Sequence, residues 1–182
     1  GMLPTREVIE AVAGLIEVNN VTNFVVDPVV RSTSGFDLID DAALRALIER
    51  LFPISSLVTP NIPEAERISG VAIECFDDIV SAADVSRDLG AGNVLIKGGH
   101  AIAGEGLATD YLFTSDGMIE FSSPFVETKG THGTGCVLSA AITAELANGK
   151  SLKEAIDSAK AFVSRALETT NGLGSGFHPV NI

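Results

Sequence analysis

A chain of 182 residues, 46% of them hydrophobic, has material for a single domain with one sizeable core, and its net charge of −12 argues against a nucleic-acid phosphate surface as partner. No apolar run approaches the ~20 residues of a membrane span, and the first residues show neither the basic region nor the apolar stretch of a secretory signal. Two cysteines, Cys75 and Cys136, make no disulfide framework and no zinc pattern, so a reducing cytoplasm is the expected setting.

Helical and extended segments alternate along the chain. Thr5 can cap a helix over 6–18, with Val8, Val12, Leu15 and Ile16 on one face. Residues 23–26 read as a buried strand ended by Asp27-Pro28, and residues 40–51 as a helix. A short strand over 56–59 ends at Pro60-Asn61, and a short helix begins near Pro63, a favoured first-turn residue. A helix over 77–89 precedes a strand over 93–96, which runs into Lys97-Gly98-Gly99-His100. Residues 111–114 and 118–122 flank Ser115-Asp116-Gly117 as a hairpin. Two helices follow; the second opens on a capping box, Ser151 and Glu154. Such alternation predicts an α/β fold with a parallel sheet covered on both faces, where ligands bind beyond the C-terminal strand ends.

The polar clusters fall at those ends. Thr131-His132-Gly133-Thr134-Gly135-Cys136 is a Gly-rich loop running into a helix marked by Val137, Leu138, Ala141, Ile142 and Leu146. Its free N–H groups and the positive end of the helix dipole suit an anion, and the same field favours thiolate at Cys136. A tight turn beside a small cysteine is the plainer reading of the same residues. Lys97, at a strand exit before two glycines, reads either as a charge facing a phosphate or as a solvated lysine. Asn61 and Glu64, one turn apart at a helix start, read either as a cap with a dipole-complementing carboxylate or as a magnesium-ordering pair. Asp27 precedes a proline and could equally start a turn. Cys75 carries no assigned role, and His132 suits packing as well as catalysis.

Taken in order, Gly1-Met2-Leu3, Asp27-Pro28-Val29 with Ser34-Gly35, Thr59-Pro60-Asn61-Ile62-Pro63-Glu64-Ala65, Lys97-Gly98-Gly99-His100, the 131–136 loop and a closing Gly172-Leu173-Gly174-Ser175-Gly176 with Pro179-Val180-Asn181 resemble the phosphomethylpyrimidine kinases of thiamine biosynthesis, within the ribokinase superfamily. The resemblance covers essentially the whole chain. It implies a ribokinase-like three-layer α/β/α fold with a mostly parallel central sheet. It also implies ATP-dependent phosphorylation of hydroxymethylpyrimidine and of its monophosphate, with Mg2+. By that resemblance Cys136 is the base that deprotonates the acceptor, and Gly133, Thr134 and Gly135 form the anion hole. Lys97 neutralises phosphate charge, Asn61 and Glu64 order Mg2+ with Asp27 nearby, and Lys160 lies near the nucleotide. Met2 and Val29 match positions lining the pyrimidine pocket.

Related pyridoxal kinases usually carry Asp where Cys136 stands, while some pyridoxine-active relatives and the hydroxyethylthiazole kinases keep Cys. A pyridoxine or pyridoxal kinase is therefore the alternative within the enzyme class. Family members also begin with roughly a third more chain, which holds much of the pyrimidine site. The expectation is a partial domain with weak or no activity alone that covers a bare sheet edge by self-association as a homo-oligomer, in the simplest case a dimer. A non-catalytic remnant that binds nucleotide or phosphate, or an interaction module, is the second class.

Overall fold

The computed structural model describes residues 2–31, 36–98, 106–128, 130–170 and 178–182. Gly1, Ser34-Gly35, Gly99-His100 and the 172–176 stretch lie outside the described residues. The elements are α1 (Arg6–Val18), β1 (Val25–Val26), α2 (Asp41–Leu51), a 3-10 turn (Phe52–Ile54), β2 (Leu57–Val58), α3 (Ile62–Ser69), α4 (Phe76–Asp88), β3 (Val94–Lys97), β4 (Leu107–Thr114), β5 (Gly117–Pro124), α5 (Thr134–Ala147) and α6 (Leu152–Glu168). They fall into two compact units, Gly1–Gly98 with Asp110–Glu120, and Gly99–Thr109 with Phe121–Ile182.

The five strands form one sheet in the order β1-β2-β3-β4-β5. β1 pairs with β2, and β2 with β3, in parallel; β4 runs antiparallel to β3, with Val94 opposite Phe113 and Lys97 opposite Asp110. The sheet is therefore mixed rather than mostly parallel. The link from Lys97 to Leu107 is too short for the dozen or so residues of a parallel crossover, so the chain must turn back. β2 and β3 are buried on both faces, whereas β5 alternates buried and open positions as a strand with one wet face does.

In the first unit α1 packs on α2, α3 on α4, and both α3 and α4 on β3. Thr5 caps α1 as expected, its hydroxyl accepting from the Val8 N–H. The buried stripe of that helix is Ile9 and Ala13, however, and Val8 and Leu15 are 39% and 64% exposed. Ile9 and Ala13 are four apart and stack on one face; Val8 and Leu15 flank it, and helical spacing alone did not choose between these faces. The first strand is shorter than 23–26 because Asn23 adopts φ 56, a left-handed conformation that no ladder accepts. Cys75 is the N-cap of α4, bound through its N–H and thiol to Asp78, which gives it a structural place. Among the described residues no helix is long and apolar enough to cross a membrane.

In the second unit α5 packs along α6. α6 opens on the anticipated capping box, Ser151 with Glu154. Leu138, Ile142 and Leu146 of α5 are buried, at the helical spacing read from the sequence.

Candidate active site

Three connected features of the first unit assemble a charged cluster. Parallel pairing of β2 with β3 continues past the strands as a bridge between Asn61 and Lys97, and the Lys97 N–H donates to the Pro60 carbonyl at 2.8 Å. This sets the start of α3 beside the end of β3. β1 lies on the other side of β2, and Thr59 N–H donates to Val26 O at 2.9 Å, which places Asp27 at the same strand ends. Lys97 Nζ then lies 2.8 Å from Asp27 Oδ1 and 4.0 Å from Glu64 Oε2, and its side chain is 13% exposed. The buried Thr59 hydroxyl donates to Asp27 Oδ1 at 3.3 Å. Asp27, Asn61, Glu64 and Lys97 are thus brought together, and Lys97 is the last residue of β3 rather than a solvated lysine beyond it.

Asn61 and Glu64 form a reciprocal capping box. The Glu64 N–H donates to Asn61 Oδ1 at 2.9 Å, and the Asn61 N–H donates to Glu64 Oε2 at 2.8 Å. The amide oxygen of Asn61 thus already accepts from the helix, and the carboxylates of Asp27 and Glu64 are the charged oxygen donors of the cluster. Burial pushes the Glu64 carboxyl up to about 7; Lys97 and the Asn61 N–H pull it down, Asp27 raises it, and the Val30 N–H lowers it slightly. Water removal outweighs a neighbouring ammonium here because Glu64 is 3% exposed.

Asp27 and Glu64 offer hard oxygen donors, the chemistry Mg2+ prefers. Among the described residues no group of three or more His, Cys, Asp or Glu could enclose a metal. The set fits a cation held by one or two carboxylates that takes its other ligands from water and phosphate oxygens.

The Gly-rich loop lies in the second unit. Gly133 is the N-cap of α5 with φ 89 and ψ −2, a left-handed conformation that suits glycine and turns the chain into the helix. Val137 N–H donates to Gly133 O at 2.9 Å at the start of α5. Thr134 braces the loop, its N–H and hydroxyl both donating to Thr131 O, at 3.3 and 2.7 Å. Cys136 is exposed in the first turn.

A strap missed in the sequence holds this loop. His132 N–H donates to His178 O at 3.1 Å, and Val180 N–H donates to His132 O at 3.2 Å. Asn181 ties the strap to the end of α6 through the Thr169 carbonyl and hydroxyl, each at 3.2 Å. Pro179-Val180-Asn181 was legible as a motif, but pairing across so many residues leaves no local signal. Gly130 completes the anchorage, because a Cβ there would overlap the Thr170 side chain, itself bonded to Ala166 O at 2.8 Å. Gly130→Ala should destabilise the second unit by about 1–3 kcal/mol; an unchanged urea midpoint would show that Thr170 yields.

Lys160 is a half-buried residue of α6, in the second unit. Met2 is 48% exposed ahead of α1, and Val29 is half-buried beside Asp27. A depression of about 540 Å³ along α5 and α6, lined by Ala141, Ala144, Ala159 and Phe162, involves none of the predicted site residues.

A lysine and carboxylates at parallel strand ends, with a helix opened on a Gly-rich loop, place the chain among the α/β phosphotransferases. The chain belongs to the phosphomethylpyrimidine kinase family, whose model matches residues 1–181. It is 40% identical over 182 residues to the hydroxymethylpyrimidine/phosphomethylpyrimidine kinase of Staphylococcus aureus (strain MRSA252), covering 100% of this chain and 66% of that protein. It is 45% identical over 181 residues to the thiamine biosynthesis bifunctional protein ThiED of Geobacter sulfurreducens, of which it spans 36%. Among solved structures it is similar to the pyridoxal kinase from Staphylococcus aureus in complex with AMP-PCP, with a TM-score of 0.91, 36% identity, and coverage of 100% of this chain and 65% of that one. The chain thus spans just under two thirds of the staphylococcal relatives.

Proposed function

We propose that this chain carries the nucleotide-handling and phosphoryl-transfer residues of an ATP-dependent kinase, ribokinase-like in its layers, that phosphorylates hydroxymethylpyrimidine and then its monophosphate. The observation that carries the reading is the buried Lys97 held between Asp27 and Glu64 at the strand ends. Phosphoryl transfer needs positioned charge more than covalent chemistry. Lys97 would exchange its carboxylate partners for phosphate oxygens, and Asp27 and Glu64 would hold Mg2+, which when bound neutralises charge on the transferred group. Glu64 must give up its proton to do so, and its carboxyl titrates at about 7. Cation affinity should therefore fall about tenfold per pH unit below that point.

The Gly135 amide would receive a phosphoryl oxygen, with Gly133 setting the turn and Thr134 bracing it. The Cys136 sulfur would take the proton of the acceptor hydroxyl. Lys160 would contact the nucleotide, and Met2 and Val29 the pyrimidine. In an active version as long as the staphylococcal relatives, Cys136→Ala should lower turnover by about 10²–10⁴-fold while ADP binding persists; equal turnover there would remove the cysteine from the base role.

A pyridoxal kinase is the second reading, favoured by the 0.91 TM-score to such an enzyme. ADP release measured with hydroxymethylpyrimidine, its monophosphate and pyridoxal side by side separates the two. Absence of ADP binding by calorimetry, together with no turnover of any of the three, would sink the kinase reading for this chain. Self-association belongs to the same proposal, and a single monomeric species in sedimentation equilibrium would count against it.

A further inference from the structure

We propose that Arg67 is a positioning residue for the Asp27–Glu64–Lys97 cluster, holding the 27–30 turn in place against α3. The inference rests on reading that cluster as the cation and phosphate site. Arg67 lies three residues after Glu64 on α3, so the two side chains leave neighbouring points of one helix face. Its Nη1 donates to the Val30 carbonyl at 3.1 Å and its Nη2 to the Ile39 carbonyl at 2.9 Å. The same guanidinium lies 3.0 Å from Asp37 Oδ1 and 3.6 Å from Asp41 Oδ1, and its side chain is 13% exposed.

The turn it grips belongs to neither a helix nor a strand. Val29 N–H donates to Asp27 O at 2.9 Å and Val30 N–H to Pro28 O at 2.7 Å, two tight steps that lead into the antiparallel bridge of Arg31 with Asp37. Val30 is fully buried. α3 holds Val30 at its carbonyl through Arg67, alongside the Leu38 N–H at 2.9 Å. Asp27, three residues upstream and 2.8 Å from Lys97, lies between the β1 pairing and this turn, so the turn fixes its downstream side. A planar guanidinium can reach two carbonyls and a carboxylate at once, whereas an ammonium cannot hold all three.

The test compares this chain with Arg67→Met and Arg67→Lys. The readouts are amide hydrogen exchange and Mn2+ binding in the presence of ADP, followed by water-proton relaxation. In Arg67→Met the Val30 amide should exchange at least about tenfold faster while the Ala65 and Val58 amides keep their protection, and the Mn·ADP dissociation constant should rise about tenfold. Arg67→Lys, keeping one carbonyl contact, should fall between the two, a rescue that loss of bulk packing would not produce. Unchanged Val30 exchange, or unchanged Mn·ADP affinity with Val30 released, overturns the proposal. Should Arg67→Met not fold, the same comparisons on Arg67→Lys decide it. An unsubstituted chain that binds no Mn·ADP would instead sink the kinase reading, and Val30 exchange would still decide whether Arg67 holds the turn.

Discussion

Lys97→Met should destabilise the first unit by about 3–5 kcal/mol at pH 8, because it leaves two buried carboxylates facing one another without a cation. Lys97 and Asp27 are each 13% exposed in their side chains and Glu64 is 4% exposed, so water cannot replace the ammonium without opening the strand ends. The cost should shrink towards pH 5, where Glu64, which titrates at about 7, already carries a proton and only Asp27 loses its partner. Urea unfolding at the two pH values checks both parts. Equal midpoints for the two proteins at pH 8 would mean that the cluster is hydrated in solution. The same substitution should remove ADP binding, since the phosphates lose their point charge.

Glu64→Gln should do the reverse and stabilise the protein at pH 8. The Glu64 carboxyl rises from 4.5 in its ordinary state to about 7 in the fold. The folded protein therefore holds a proton that the unfolded chain has released between those values. Stability contributed by this group is complete below about pH 4.5, declines as pH rises, and is fully lost above about 7. A rise of that size corresponds to roughly 3–4 kcal/mol, or about 7–14 °C in the melting midpoint of a chain this long. Glutamine keeps an acceptor oxygen for the Asn61 N–H, so the capping box survives. Thermal scans at pH 5 and pH 8 should show a small difference at the first, about a quarter of the whole, and the full difference at the second. A glutamine protein less stable than its parent at pH 8 would show that the ionised form is favoured in the fold. The gain in stability comes with loss of a cation ligand, so Mn2+ binding should weaken in the same variant.

Much of the cluster was legible because its residues are punctuated by local signals. Asp27 precedes a proline, Asn61 and Glu64 carry the spacing of a cap, and Lys97 closes an apolar run. What spacing left open was the choice between a cap and a metal ligand, and the structure divides the pair: Asn61 is held by the Glu64 N–H, while Glu64 both caps and faces Lys97. Thr59 and Arg67 went unread as functional because their partners, Asp27 and Val30, lie far back along the chain. The strap of Val180 on His132 was hidden for the same reason. The α1 face was misassigned because periodicity gives an angle around a helix but not which neighbour packs there. The mixed sheet follows from loop length, a signal present in the sequence once the strand ends are known.

The capping box at the head of α3 also orders events in time. Asn61 and Glu64 are three residues apart and can close as soon as that turn forms, whereas Lys97 joins only when β3 pairs beside β2. On a ribosome the acidic half of the cluster is therefore synthesised and folded locally while still wet and fully ionised. The raised Glu64 carboxyl of the finished fold predicts that a proton is taken up later, when β3 docks and water leaves. Late folding of this unit should thus be coupled to proton uptake at neutral pH, and its final step should slow as the medium becomes alkaline.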